Sequence, residues 1–97
     1  MLRSFRSRAL KALWEQDDRS KLDARLVERI LRRLYALDQA IRPEDMDQPG
    51  FDFHGLRGRR KGTYSVHVNG PWCLTFGWQD TDAVRVDLEQ YHRGRVR

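Results

Sequence analysis

The spacing of apolar residues changes near the middle of the chain. In the first half they recur every three or four positions, which is the spacing of one face of an α-helix. In the second half they recur every second position, as in a strand with one buried face. Residues 43–50 are acidic and rich in turn-forming residues, and they predict a linking loop between the two halves. The chain is therefore expected to form helices first and a sheet afterwards.

Two helices are predicted before the linking loop. The first spans about residues 9–15, after a short apolar start at residues 2–5 that predicts an edge strand. The second has a wide apolar stripe formed by Leu26, Val27, Ile30, Leu31, Leu34 and Tyr35. Asp23 can cap its first turn, and it should end before Pro43. Four arginines lie off the stripe, on a face expected to be solvated or to contact a partner or RNA: Arg25, Arg29, Arg32 and Arg33.

Three or four antiparallel strands are predicted from Phe51 onwards, each with one apolar and one polar face. The apolar positions are Phe51, Phe53, Tyr64, Val66, Val68, Trp72, Leu74, Phe76, Trp78, Val84, Val86 and Leu88. If the helices cover this apolar face, the fold class is α+β, with two N-terminal helices packed on one face of a small antiparallel sheet.

The turn at residues 69–71 decides which residues face each other in the central hairpin. A two-residue loop would divide the apolar residues between the two faces, whereas a three-residue loop keeps them together. With the longer loop the apolar pairs are Val68 with Trp72, Val66 with Leu74 and Tyr64 with Phe76. The same register gives two pairs on an open polar face, His67 with Cys73 and Ser65 with Thr75.

The charge is unevenly distributed along the chain. The 97 residues carry a formal net charge of +5, which favours a polyanionic partner. Residues 54–79 contain four cationic side chains (Arg57, Arg59, Arg60 and Lys61) and no carboxylate. Most of the cationic residues are arginines, which grip phosphate with two parallel hydrogen bonds, although a GC-rich genome also enriches arginine.

Length and composition predict one domain at residues 1–92, followed by a basic tail at residues 93–97. With one cysteine there is no intrachain disulfide, and no apolar run is long enough to span a membrane. Nor does the start of the chain have the pattern of a signal peptide. We therefore expect a soluble, cytoplasmic protein with no membrane partner.

Residues suited to cleaving RNA flank the basic loop. Such cleavage needs a base for the ribose 2′-OH, an acid for the leaving 5′-oxygen, and cations for the phosphorane. His54 precedes the loop, and Tyr91 and His92 end the last strand. Metal binding is the competing use of His54, His67, Cys73 and His92. However, no CxxC or HExxH spacing is present, so no metal or cofactor is expected.

Three segments resemble the HigB branch of the RelE/ParE toxins. They are residues 54–66 (HGLRGRRKGTYSV), residues 69–72 (NGPW) and residues 87–92 (DLEQYH), and the opening LRSF at residues 2–5 is also typical. The resemblance implies a RelE-like fold and cleavage of mRNA in the 30S A site of the ribosome. It also implies a HigA-like helix-turn-helix antitoxin. The toxin would bind operator DNA only through this antitoxin.

The resemblance also implies roles for individual residues. His54, Tyr91 and His92 match the family's active-site positions, Arg57 stands where a lysine is frequent, and Arg60 matches the family arginine. The basic loop, which carries Arg57, Arg59, Arg60 and Lys61, is therefore the expected phosphate-binding segment.

The sequence departs from the family pattern at two positions. Cys73 replaces an arginine that contacts the scissile phosphate in most relatives, and Gln90 replaces an aspartate. His67, opposite Cys73, is a candidate to compensate. Two alternatives to the ribonuclease remain: a relic that only binds its antitoxin and helps repress the operon, and a gyrase-poisoning ParE-type toxin. The presence of His54 together with Tyr91 and His92 argues against the gyrase poison.

Overall fold

The computed structural model describes residues 1–91. Its helices are α1 (Arg8–Gln16) and α2 (Ala24–Gln39), with short 3-10 helices at Pro43–Met46 and Gly58–Arg60. Its strands are β1 (His54–Gly55), β2 (Thr63–Asn69), β3 (Trp72–Gln79) and β4 (Asp82–Gln90). The strands pair antiparallel in the order β1-β2-β3-β4, which confirms the α+β prediction. His92 and the expected basic tail lie outside the described residues.

Side-chain caps define where both helices begin. The Ser7 hydroxyl accepts a hydrogen bond from the N–H of Leu10 at 3.1 Å, and the Asp23 carboxylate accepts one from the N–H of Arg25 at 2.9 Å. The cap predicted at Asp23 and the end of α2 before Pro43 are both confirmed. Most of the predicted stripe is buried, but Tyr35 is 61% exposed and lies edge-on against Trp14.

The side of the sheet that packs on the helices, here called the inner face, carries the main core. Val66, Leu74 and Phe76 are completely buried among the apolar residues of α1 and α2. The pairs Tyr64–Phe76 and Val66–Leu74 occur as predicted, and so do the polar pairs on the other side. The choice of register from the apolar pattern is therefore confirmed for the central hairpin.

The turn of this hairpin differs from the prediction. Trp72 pairs with Asn69, and the ladder is irregular between His67 and Asn69, so the predicted pairing of Val68 with Trp72 is wrong. Gly70, with φ +56°, supplies the left-handed residue of a tighter turn. The extra residue is accommodated as a β-bulge at Val68, which stays buried and keeps the rest of the strand in register.

A second irregularity breaks the predicted alternation of β4. The ladder shifts between Thr75 and Gly77, opposite Arg85, whose φ is +51°. Val84 consequently pairs with Gly77, on the side of the sheet away from the helices, and Ala83 takes a core position instead. Both Val84 and Ala83 are apolar, so the pattern of residue types does not reveal an inserted residue.

The predicted edge strand at residues 2–5 lies along β4. It forms two isolated parallel bridges, Leu2 with Ala83 and Phe5 with Val86, rather than a full strand. The N–H groups of Arg3 and Arg6 donate to the carbonyls of Ala83 and Val86 at 2.9 and 2.8 Å. The segment thus satisfies backbone groups of β4 that an edge strand would leave open.

Arg33 is not on a solvated face, as its row of arginines predicted. It is 6% exposed, and its guanidinium donates to the carbonyls of His67 at 2.7 Å and Arg29 at 3.1 Å. Its charged end also lies 4.5 Å from the ring centroid of Phe51. Burial, followed by repulsion from Arg29 and Arg32, lowers the pKa of Arg33. The carbonyl oxygens and the aromatic ring offset part of the cost of burying this charge. The residue types along the chain do not reveal such contacts.

The linker is also more ordered than a simple loop. Pro43–Met46 forms a 3-10 helix, and the Met46 side chain is fully buried. The predicted strand starting at Phe51 is reduced to the two residues of β1, because Asp52 has a left-handed backbone with φ +47°. Phe51 nevertheless packs into the core, as its apolar character predicted.

Candidate active site

A pocket of about 290 Å³ opens on the side of the sheet away from the helices, here called the outer face. Six of its lining residues are ones that the sequence singled out: His54, Arg57, Arg60, Cys73, Gln90 and Tyr91. They come from β1, the basic loop, β3 and the end of β4. The antiparallel strand order β1-β2-β3-β4 and the basic loop before β2 bring these four segments together on one side of the sheet.

The centre of the pocket is more enclosed than the open polar face that we predicted. Ser65, Cys73 and Thr75 are only 1–3% exposed. They belong to the two central strands, and longer side chains from neighbouring segments lie over them, among them Arg60, Glu89 and Tyr91. Alternation correctly assigned these residues to the outer face, but their burial depends on what covers that face.

Arg60 is anchored by a carboxylate that sequence reasoning did not select. Its two terminal nitrogens donate to the two oxygens of Glu89 at 2.9 and 2.7 Å, and the Thr75 hydroxyl also donates to Glu89. These bonds, with Arg60 first, hold the pKa of Glu89 below its usual range, and the pKa of Arg60 is raised in turn. The result is a fixed guanidinium that keeps 43% of its side-chain surface exposed and available to an anion.

His54 is exposed at the rim of the pocket, where it pairs with Ser65 across β1 and β2. Its Nδ1 lies 3.0 Å from the carbonyl oxygen of Asp52. Because a carbonyl only accepts, Nδ1 carries the proton, and in the neutral ring Nε2 then holds the lone pair. The left-handed backbone of Asp52 brings that carbonyl beside the ring, so a local turn sets the tautomer of His54.

Tyr91 is positioned by the turn of the central hairpin. Its N–H donates to the carbonyl of Pro71 at 2.9 Å, and its ring stacks on that of His67 with an interplanar angle of 13°. The Nε2 of His67 is 3.1 Å from the carbonyl of Gly70, so His67 is held outside the pocket and supports Tyr91 from behind. Burial raises the pKa of Tyr91, which keeps the phenol protonated at neutral pH.

Cys73 cannot supply the charge of an arginine. Burial is the largest cause that raises the pKa of its thiol, so the side chain is neutral at physiological pH. Next to it are two buried hydroxyls, on Ser65 and Tyr91, which are close enough to the thiol to affect its pKa but make no well-aligned hydrogen bond within residues 1–91. This part of the pocket is therefore polar but uncharged.

The remaining predicted site residues are distributed differently. Arg57 lines the pocket and is exposed, and Gln90 is exposed at its edge. Arg59 and Lys61 are exposed on the same basic loop but do not line the pocket. His92 falls beyond the described residues. Within residues 1–91, no group of three or more histidine, cysteine, aspartate or glutamate side chains is arranged to hold a metal ion.

Comparison with known proteins identifies the family. The family model described as the RelE-like toxin of type II toxin-antitoxin system HigB matches residues 3–92. The chain belongs to this family. It is 35% identical to Endoribonuclease HigB of Proteus vulgaris over 92 residues, covering 95% of this chain and all of that protein. It is also 33% identical to Toxin HigB-1 of Vibrio cholerae serotype O1 over 93 residues, covering 94% of this chain and 98% of that protein.

A solved structure supports the fold of this HigB-like toxin. The chain aligns with a structure of the YoeB-YefM complex from Staphylococcus aureus with a TM-score of 0.62 at 17% identity, covering 95% of this chain and 98% of the other. The likeness shows that the fold is RelE-like, as predicted. In the described part of the toxin, no helix is both long and apolar enough to cross a membrane.

Sequence reasoning missed Glu89 and Thr75 in the pocket of this HigB-like toxin. A usable signal existed for both, because strand alternation placed them on the same face as Cys73. What the sequence did not provide was the pairing of β3 with β4, which brings Glu89 opposite Cys73 and within reach of Arg60.

Proposed function

We propose that this HigB-like toxin is an endoribonuclease that cuts mRNA on the translating ribosome. The observation that carries the proposal is the pocket on the outer face, where His54, Tyr91 and two arginines of the basic loop converge. Membership in the HigB family and the name of the Proteus relative, an endoribonuclease, support the same reaction.

The proposed reaction is an attack by a ribose 2′-oxygen on the adjacent phosphorus. The Nε2 of His54 takes the proton of the 2′-OH, because Nδ1 is occupied by the Asp52 carbonyl. The new bond between O2′ and phosphorus gives a 2′,3′-cyclic phosphate as the bond to the 5′-oxygen breaks. His92 donates the proton that the 5′-oxygen needs. Tyr91, protonated and backed by His67, orients the RNA by stacking or by a hydrogen bond.

The basic loop stabilises the charge that develops on the phosphorane. Arg60 is already oriented by Glu89, so little reorganisation is needed when the anion forms. Arg57, exposed in the pocket lining, provides a second cation. Arg59 and Lys61, which lie outside the pocket, are assigned to the ribosomal surface, whose phosphates attract an exposed basic loop.

The proposed partners follow from the family. A type II toxin has an antitoxin, and we assign this one a HigA-like helix-turn-helix protein that alone connects the toxin to operator DNA. The YoeB of the staphylococcal structure is likewise in a complex, with YefM. If these are its partners, the toxin acts in the cytoplasm.

A second candidate is an antitoxin-binding module without catalysis. Cys73 favours it, because a buried neutral thiol takes the position where the sequence resemblance leads one to expect a cation. Such a relic would still bind antitoxin and help repress its operon.

Expression of the wild type and of His92→Ala, with and without antitoxin, separates the two candidates. We expect the wild type to arrest growth and to cut mRNA only while it is translated. His92→Ala should relieve the arrest and still bind antitoxin, which serves as the control for folding. If the wild type leaves translated mRNA intact, the ribonuclease is the wrong assignment and the binding module is favoured. If His92→Ala stays fully toxic, the role given to His92 is wrong.

A further inference from the structure

A small basic groove continues the pocket along the outer face. The two share Arg60 and Thr75 in their linings. The groove is lined by three arginines, Arg6, Arg60 and Arg85, against one carboxylate, Asp87. Arg60 is already bound to Glu89, so Arg6 and Arg85 are the two cations that the groove adds to the site.

The position of Arg85 depends on the β-bulge in β4. Its left-handed backbone, with φ +51°, is unfavourable for a side chain of this size. The N–H of Arg85 donates to the Ser4 hydroxyl at 2.9 Å, which helps to hold this conformation. Bulges and strained residues of this kind concentrate beside functional sites, where they redirect a side chain.

Gly77 provides the space into which Arg85 extends. A Cβ atom added at Gly77 would collide with the guanidinium of Arg85, so the missing side chain lets the charged group lie directly over Gly77. Gly77 has an ordinary backbone conformation, since it is not among the positive-φ glycines. A glycine is therefore needed at this position because the Arg85 guanidinium approaches the strand closely, not because the backbone turns.

Arg6 reaches the same groove from the N-terminal segment. Its N–H donates to the Val86 carbonyl at 2.8 Å, which fixes the segment next to the bulge. Both Arg6 and Arg85 are exposed, and within residues 1–91 neither has a carboxylate oxygen within 4.0 Å. Two exposed arginines without ion-pair partners, held at one groove, are suited to a phosphate group.

We propose that Arg6 and Arg85 form a second phosphate subsite, which binds the RNA phosphate next to the one that is cleaved. The proposal rests on the proposed function, because it assumes that RNA occupies the pocket. The strand would run from His54 and Tyr91 across Thr75 to the bulge. The subsite adds positive charge on the outer face, where the neutral thiol of Cys73 supplies none.

The test measures binding of a short single-stranded 2′-O-methyl RNA, which has no free 2′-OH and so cannot be cut by the proposed reaction. The variant combines Arg6→Gln with Arg85→Asn, because asparagine tolerates the left-handed backbone at position 85. Its matched control combines Arg29→Gln with Arg32→Gln, two exposed arginines of α2. Fluorescence anisotropy over a series of salt concentrations gives the dependence of affinity on salt.

We expect the plot of log affinity against log salt to become less steep by about 1.4 in the variant, the value for two lost phosphate contacts on a single strand. The control should keep the wild-type slope. A variant with the wild-type slope, an equal loss in both double variants, or a wild type that binds no RNA would each overturn the subsite.

Gly77→Ala separates the position of the charge from its amount. It keeps both arginines but displaces the Arg85 guanidinium, so we expect a slope reduced by about 0.7, as for one lost contact. A wild-type slope in Gly77→Ala would show that the placement of Arg85 is irrelevant. Cleavage of translated mRNA by the wild type is scored separately. Its absence overturns the proposed function and leaves the RNA-binding result intact, whereas an unchanged slope overturns only the subsite.

Discussion

The inner and outer faces of the sheet are made by the same strands but serve different purposes. On the inner face, Leu74 and Phe76 are completely buried among apolar residues. Their outer-face neighbours Cys73 and Thr75 are almost as buried, yet they lie among charges and hydrogen-bonding groups. Burial of apolar area stabilises the inner face. On the outer face, the poorly paired hydroxyls of Ser65 and Tyr91 cost stability. The outer face thus resembles a site prepared for a ligand, and the inner face a conventional core.

The largest effect should come from a change that damages only the outer face. His54→Ala is expected to reduce mRNA cleavage by about 10²–10⁴-fold, the usual contribution of a general base. Because His54 is exposed, the midpoint of thermal unfolding should stay close to that of the wild type. Cleavage of a translated message and a thermal melt on the same preparation measure both quantities.

His67→Gln is the matched histidine control. Glutamine keeps an N–H donor for the Gly70 carbonyl, and His67 lies outside the pocket. We expect the fold reduction in mRNA cleavage to be less than about a tenth of that seen for His54→Ala. Equal losses in the two variants would contradict the separate roles assigned to these histidines.

The opposite result is expected for a change that damages only the inner face. Leu74→Ala should lower the free energy of unfolding by about 2–5 kcal/mol, because it leaves a cavity in a completely buried position. Urea denaturation measures this loss. Cys73→Ala, the adjacent residue on the outer face, is the control and should cost less than half as much. The contrast between the faces would be refuted by a larger loss for Cys73→Ala than for Leu74→Ala.

Arg33 tests whether the two faces are linked. It joins α2 to β2 through the carbonyl of His67, and to the segment that leads into His54 through the ring of Phe51. Arg33→Met keeps the apolar stem but removes the donor to the His67 carbonyl, so we expect a loss of about 1–3 kcal/mol in unfolding free energy. Cleavage should also fall under conditions where the variant is fully folded. Arg33→Lys, which keeps the charge, should recover part of the stability and part of the cleavage. Unchanged cleavage by folded Arg33→Met would mean that the two faces are independent.

The smallest effect concerns the ion pair on the outer face. Arg60 holds the pKa of Glu89 below its ordinary value of 4.5, so the pair stabilises the fold above that pH and loses its effect as the pH falls through the lowered pKa. With solvent screening of the half-exposed Arg60, Glu89→Gln should cost about 1 kcal/mol near neutral pH. The difference in melting temperature from the wild type should shrink below pH 4.5. A difference that stays constant from neutral to acidic pH would exclude the ion pair as its cause.

Local patterns were sufficient for most of the fold. The stripe of α2, the cap at Asp23 and the pairing of Val66 with Leu74 were all predicted, because helix and strand periods appear directly in the order of residues. His54, Arg57, Arg60 and Tyr91, which the resemblance marked as site residues, line one pocket, and their roles stay predictions. The role of His92 stays a prediction.

Other features depend on contacts between residues that are distant in sequence. The sequence by itself determined which residues are apolar, where α2 is capped and which faces of β2 and β3 are inner, because these are properties of neighbouring positions. Only the tertiary structure decided that Arg33 is buried, that Glu89 anchors Arg60, and that a bulge places Arg85 over Gly77. Each of these requires a partner from another segment, and one residue inserted in a ladder moves such a partner without changing the pattern of apolar and polar positions.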